Sequence, residues 1–292
     1  MSEPSDRFTR QCAPSRTPSS PIRKLTDRIL YLGRDLLDLY LRNTRRASRT
    51  PYGFTLQGSL SPHHRGMRKG TFEQEQTAVI HDLLLQSDVF VDVGANIGYY
   101  SCLALSLGKC VLAVEPLGVN LEHLYRNLIR NRWTDVEVFP FGLSDRPGLA
   151  TLYGASSTGA SLIGSWAGST KLIRRVIPVS TLDIVLGDRF AGRKLLIKID
   201  VEGAEYQVLK GATKTVNLIP KPAWLIEICF KEFFPGGVNP NYAATFDLFW
   251  RHGYEARAAS RDFKRITPTD VKRWAQAGYC DSGAINYLFV PG

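Results

Sequence analysis

The sequence predicts an α/β chain with a doubly wound, mostly parallel sheet that ends in an antiparallel pair. Three observations carry this. From residue 88 onward, strand-length apolar runs alternate with Gly-containing turns and helical patterns, the mark of repeated βα units. The runs VFVDV (89–93), LLIKID (195–200) and AWLIEICF (223–230) are almost unbroken, as expected of strands buried on both faces. The last elements differ: a helix around 241–252, then GYEAR (253–257), a loop and INYLFV (285–290). That order reads as a terminal antiparallel pair, not another crossover.

Composition agrees. The 292 residues are 44% hydrophobic and 22% charged, enough apolar material for a full-sized core. A soft length prior allows two domains, or one α/β domain with an extension. No run approaches the roughly 18 apolar residues of a spanning helix, and the N-terminus lacks the apolar stretch of a secretory signal. The expectation is a cytoplasmic protein. The five Cys, at 12, 102, 110, 229 and 280, have no CxxC spacing, so neither a disulfide framework nor a zinc site is indicated. The net charge of +10 is uneven. Residues 1–50 hold eleven basic and five acidic residues, so +6 of it lies there. The body is close to balanced, which argues against nucleic acid as its partner.

In chain order, residues 1–22 are rich in Ser, Pro and Arg and predict a disordered arm. Residues 23–69 read as an amphipathic helix and linker. Leu25, Ile29, Leu32, Leu36 and Leu39 form one stripe. The stripe could dock on its own domain, make a homodimer or, third, lie on a membrane surface. Residues 47–70 read as loop and short strands, with His63 and His64 as a solvated pair. Residues 71–86 predict a helix with Thr71 as N-cap. Then come VFVDV, a helix over 98–107, the strand CVLAVE (110–115), a helix over 118–131 and the strand VEVFPF (136–141). LATLY (149–153) and RRVIPVSTLDIVL (174–186) flank a Gly/Ser-rich stretch, 154–170, that is a loop or lid candidate. LLIKID leads into the short helix GAEYQVLKGA (203–212), and AWLIEICF is the next strand.

The segment Val91-Asp92-Val93-Gly94-Ala95-Asn96-Ile97-Gly98 runs a buried strand into a tight glycine turn and a helix. Glycine lets the backbone approach a ligand closely. Glu115 ends the next strand, seventeen residues past Gly98, where an acid can accept both ribose hydroxyls of an adenosine. Dinucleotide sites use G-x-G-x-x-G to hold a pyrophosphate. This turn is G-x-x-x-G with Asp92 just before it. A carboxylate there repels pyrophosphate and suits the amino group of a methionine moiety. S-adenosyl-L-methionine (SAM) is therefore favoured over NAD.

These residues resemble the FkbM-type SAM-dependent methyltransferases: VFVDVGANIGYYS, then VEP, FGLSD and above all LIKIDVEGAEYQVLKGA. The resemblance covers roughly residues 70–290, within a methyltransferase domain expected over 70–292, and implies the Rossmann-like seven-stranded methyltransferase sheet. It also implies an O-methyltransferase acting on a hydroxyl of a carbohydrate, glycolipid or secondary metabolite. By resemblance, Gly94, Asn96 and Gly98 line the methionine and ribose end of SAM, Asp92 lies near its amino group, and Glu115, followed by Pro116, holds the ribose. Leu143, Ser144 and Asp145 stand where the adenine contacts fall. Glu73 or Glu75 resembles an upstream acid that faces the cofactor, although either could simply complement its helix dipole.

Methyl transfer needs alignment, and a hydroxyl acceptor also needs its proton taken. Ligands of such sheets bind outside the carboxyl ends of the strands. Asp200 and Glu202 follow one strand, and Glu227 lies late in another. These three are the candidate catalytic acids, with Asp200 the preferred base and cofactor neighbour. A Mg²⁺ site is possible but not favoured. Tyr99, Tyr100, Trp166, Phe233 and Phe234 could stack on a sugar, although packing is the commoner use of such aromatics. Two alternatives stay open. Asn239-Pro240-Asn241-Tyr242 resembles the motif of nucleic-acid amino-methyltransferases, but it follows the wrong strand and has Asn as its third residue. The other is a SAM-fold interaction protein without turnover.

Overall fold

A computed structural model describes residues 44–154, 159–169 and 171–292, together with Gly33 and Tyr40. The arm 1–22 and nearly all of the helix expected over 24–46 lie outside the described residues. The chain enters through a hairpin, β1 (Arg46–Arg49) and β2 (Thr55–Gly58), and a short helix, α1 (Pro62–Lys69). Then follow α2 (Gln74–Leu85), β3 (Val89–Val93), α3 (Tyr99–Ser106), β4 (Cys110–Val114), α4 (Gly118–Arg130) and β5 (Glu137–Phe139). A small side sheet comes next, β6 (Gly142–Leu143), β7 (Gly148–Tyr153) and β8 (Arg174–Ser180). The second half runs α5 (Leu182–Leu186), β9 (Leu195–Ile199), α6 (Glu205–Lys210), β10 (Ala223–Glu227), α7 (Tyr242–Arg251) and β11 (Tyr254–Ala258). It closes with β12 (Arg265–Ile266), α8 (Pro268–Ala277) and β13 (Asn286–Pro291).

The central sheet has the order β12-β11-β13-β10-β9-β3-β4-β5. Strands β10, β9, β3, β4 and β5 are mutually parallel, whereas β13 runs antiparallel between β10 and β11. The two-residue strand β12 is an addition at the edge; the other seven strands are the expected sheet. Alternation along the strands splits the core into two layers. Val89, Val91, Val93, Ile197, Ile199, Trp224 and Ile226 face one side. Phe90, Leu196, Leu225 and Leu288 face the other. Each fully buried side chain of this size contributes about 1.5–3 kcal/mol. Asp92 and Lys198 are paired in register on neighbouring strands. Two-residue periodicity puts both on the face of Phe90 and Leu196.

The structure differs from the sequence reading before β3. Residues 47–70 are a hairpin and a helix, not mainly loop. Ser61 caps α1 by accepting from the His64 amide (3.3 Å), and Pro62 takes the first turn, where its missing N–H is harmless. Phe54, Leu56 and Met67 join the core, so the segment packs against the body. His64, expected in a solvated pair, is fully buried. The helix expected to begin after Thr71 begins at Gln74, and its cap residue is Glu73, in a left-handed conformation (φ 40°). Stretch 174–186 is a strand that breaks at Thr181, whose hydroxyl caps α5.

Candidate functional site

The site forms where β3, β4, β9 and β10 end together. Gly94 follows β3 with φ 84°; a Cβ there would lie 1.9 Å from the Asp200 carbonyl oxygen. Only glycine therefore lets the ends of β3 and β9 close on one another. Asn96 also has positive φ, and its Oδ1 accepts from the Ile97 amide (2.7 Å). The Asn96 amide donates to Glu115 Oε2 and the Leu117 amide to Glu115 Oε1, both at 2.8 Å. Glu115 is thus fixed under the glycine turn. Burial pushes its carboxyl up to about 7, although those two amides act the other way. Gly98 packs on Leu124, where a Cβ would lie 2.3 Å from Cδ1. Pro116 is half-buried beside Gly142. Leu143 points into the core. Ser144 is half-buried with its amide on the Ser180 carbonyl (2.8 Å), and Asp145 is exposed and paired with Lys210.

Next to this turn, β9 supplies a charged centre that sequence reasoning missed. Lys198 is 3% exposed; its Nζ lies 2.8 Å from Asp200 Oδ2 and 5.1 Å from the centre of the Tyr100 ring. Burial alone would lower the ammonium, but Asp200, Asp92 and Glu73 outweigh it and hold it above its ordinary value. Asp92 is buried; its Oδ2 accepts from Ser101 Oγ (2.6 Å) and its Oδ1 has no hydrogen-bond partner among the described residues. Burial raises its carboxyl. Glu73 is exposed as a residue, yet its Oε2 reaches the buried Tyr100 hydroxyl (2.9 Å). Burial of that carboxylate and the charge of Asp200 push it up to about 7. Glu75 faces elsewhere and accepts from the Arg261 amide (3.0 Å).

Glu202 and Glu227 complete the acidic edge. Both are raised well above the usual carboxylate range, by burial first and then by Asp200. Glu202 has φ 58° and accepts from the Trp166 indole N–H (2.6 Å). The Ser161 hydroxyl donates to its carbonyl (2.5 Å). Trp166 is buried, packs on Phe233 and Phe234, and fills the space that a Cβ on Gly203 would need. Loop 159–169 is thereby strapped over the end of β9. Glu205, raised by burial to about 7, accepts from the Gly203 amide (2.8 Å). Glu227 receives only a weak contact from the Cys229 thiol (3.6 Å). The structure thus gathers Asp92, Glu73, Asp200 and Glu202 around Lys198, with Glu227 near Asp200 and Glu202 and with Glu115 under the adjoining turn.

Other readings take other places. Tyr99 and Tyr100 are buried in an aromatic cluster, whereas Phe233 is exposed. Asn239 uses its side chain to bind the Cys229 carbonyl (3.0 Å) and the Asn241 amide (2.9 Å). Tyr242 is buried, with its hydroxyl on Tyr287 (2.9 Å). Among the described residues no group of three or more His, Cys, Asp or Glu is placed to hold a metal ion. The unpartnered Asp92 Oδ1, the raised Glu115 and the glycine turn between them do suit a cationic, ribose-bearing ligand. One signal for Lys198 was available: it is the lone basic residue inside an apolar strand run.

A family profile described as the methyltransferase FkbM domain matches residues 92–256, more than half of the chain. The hexuronic acid methyltransferase AglP of Haloferax volcanii is 28% identical over 147 residues, 50% of this chain and 59% of that protein. The AMB antimetabolite synthetase AmbE of Pseudomonas aeruginosa is 31% identical over 204 residues, 57% of this chain but 9% of that protein. This chain therefore spans less than two thirds of either relative. A solved structure, the precorrin-6y C5,15-methyltransferase of Geobacter metallireducens, aligns over 75% of this chain and 87% of its own. Its TM-score is 0.38 and its identity 12%.

Proposed function

Because the chain belongs to the FkbM methyltransferase family, we propose that it moves a methyl group from SAM to a hydroxyl of a carbohydrate, glycolipid or secondary metabolite. Family membership implies SAM as donor, and SAM supplies an electrophilic methyl on a sulfonium. The single observation that carries the reading is the carboxylate edge around Lys198. Asp92, with one free oxygen, and Glu115 are the residues that would hold the cofactor's ammonium and ribose. Asp200, anchored by Lys198 at 2.8 Å, is the candidate acceptor of the hydroxyl proton. Glu202 and Glu227, whose carboxyls are raised by burial and by Asp200, line the same edge and would orient the acceptor. A general base of this kind contributes about 10²–10⁴-fold. The carbohydrate assignment is supported by the likeness to AglP, whose name gives a hexuronic acid as its substrate.

The test uses the full chain, methyl-labelled SAM and separate pools of glycan, glycolipid and RNA. Label on glycan or lipid is expected; label on RNA alone overturns the acceptor class. Asp200→Asn should lower turnover about 10²–10⁴-fold with SAM affinity little changed. An equal loss of SAM binding would make Asp200 a cofactor ligand only.

A further inference from the structure

The geometry points to a second site, a phosphate-binding cleft between β2 and α4. The cleft is shallow, about 480 Å³, and is lined by Arg45, Gln57, Arg126, Ile129 and Arg130. Gln57 is buried at its floor. Arg130 Nη2 donates to Gln57 Oε1 (3.1 Å), which fixes the amide orientation, since a flipped amide would set donor against donor. Among the described residues the Gln57 Nε2 donor has no acceptor, nor has Arg126 Nη1, although both atoms are buried. Two buried donors without acceptors in one cleft are unusual, because an unmade hydrogen bond there is penalised. An oxyanion with several acceptor oxygens answers both.

The charge agrees. Arg45 and Arg126 share one carboxylate, Glu122, at 2.6 and 2.7 Å, while Arg130 is held by the neutral Gln57 amide. Three guanidiniums against one carboxylate leave two positive charges, the complement of a phosphate monoester. Guanidinium forks also match phosphate geometry. Glu122 would disfavour an anion on its own side, so the ligand sits toward Gln57 and Arg130. Leu124 and Asn127 of α4 meet the cofactor turn, whereas Arg126, Ile129 and Arg130 line the cleft. The cleft adjoins the cofactor turn through Asn127 but shares no lining residue with it, and the proposal does not rest on the methyl-transfer assignment. The phosphate can come from a lipid headgroup or from a soluble phosphate ester.

Inorganic phosphate titrated into the full chain, followed by amide NMR, should shift resonances of β2 and the end of α4. Gln57→Met and, separately, Arg126→Gln should weaken that binding at least tenfold while leaving SAM affinity unchanged. Absence of shifts in the wild-type chain, or equal shifts in both variants, overturns the proposal, as does an equal response to chloride. Sedimentation with phosphatidylcholine vesicles, with and without phosphatidic acid, separates the sources. Capture only by the acidic vesicles, lost in the variants, assigns the lipid headgroup. Phosphate binding without capture assigns a soluble ester. Tighter binding to an RNA oligonucleotide than to either probe, equally lost in the variants, overturns both sources.

Discussion

Lys198 carries a positive charge into the middle of a sheet, and the surrounding acids make that tolerable. Its partner Asp200 is 27% exposed, so the pair is only partly desolvated. Lys198→Met keeps the length and deletes the charge. We expect a loss of about 2–3 kcal/mol, below the 3–5 kcal/mol for a fully buried pair, read as a lower urea midpoint at unchanged slope. A change under about 0.5 kcal/mol would remove the pair from the stability of the fold. The raised carboxyls give a second expectation. Glu73, Glu115 and Glu205 sit at about 7 in the folded chain, against 4.5 unperturbed. Between those values the native state binds more protons than the unfolded state, so stability falls as pH rises from about 4.5 to 7. A cationic cofactor favours the ionised forms, so SAM affinity should rise over the same window. Calorimetry at pH 5 and 8 checks both signs, and a rising Tm without SAM would contradict them.

At the scale of elements, the strap 159–169 is held to β9 largely through Trp166. Trp166→Phe keeps most of the ring packing and deletes the N–H that reaches Glu202. Turnover of the acceptor should fall about tenfold, with SAM affinity unchanged by calorimetry; equal turnover would mean that the strap does not set Glu202. The contrast between what was legible and what was not is sharpest here. Central strands announce themselves, because VFVDV and LLIKID are buried on both faces and need apolar side chains throughout. The glycine turn was equally plain, since its conformation excludes other residues. The helix at 62–69 was hidden by polar composition, although Ser61-Pro62 is a proper start signal. His64 looked solvated because only tertiary packing covers it. Trp166 and Glu202 are 36 residues apart and meet through a loop with no periodic pattern. Lys198 was overlooked because the run around it reads as ordinary core.

For the whole molecule, the hairpin and α1 are joined to the cofactor turn. His64 lies within hydrogen-bonding distance of the Ser59 hydroxyl (2.8 Å) and Asn96 Oδ1 (3.2 Å), and Asn127 binds the Gln57 and Ile97 carbonyls. A chain beginning at Ile22 should keep SAM affinity, since the composition of 1–22 cannot form a core. One beginning at Gly70 should lose at least tenfold in SAM affinity and several degrees in Tm, because Phe54, Leu56 and Met67 leave the core with it. Full affinity in the shorter chain would show that the glycine turn holds its shape unaided.

Strand β13 has a consequence for how the chain is made. It lies between β10 and β11, yet it is translated after both. Until residue 291 clears the ribosome, β10 and β11 stand apart with unpaired edges facing an empty slot. The nascent chain therefore waits in an open, sticky form that favours chaperone capture. A stop codon that removes Asn286–Pro291 would leave the facing edges of β10 and β11 open.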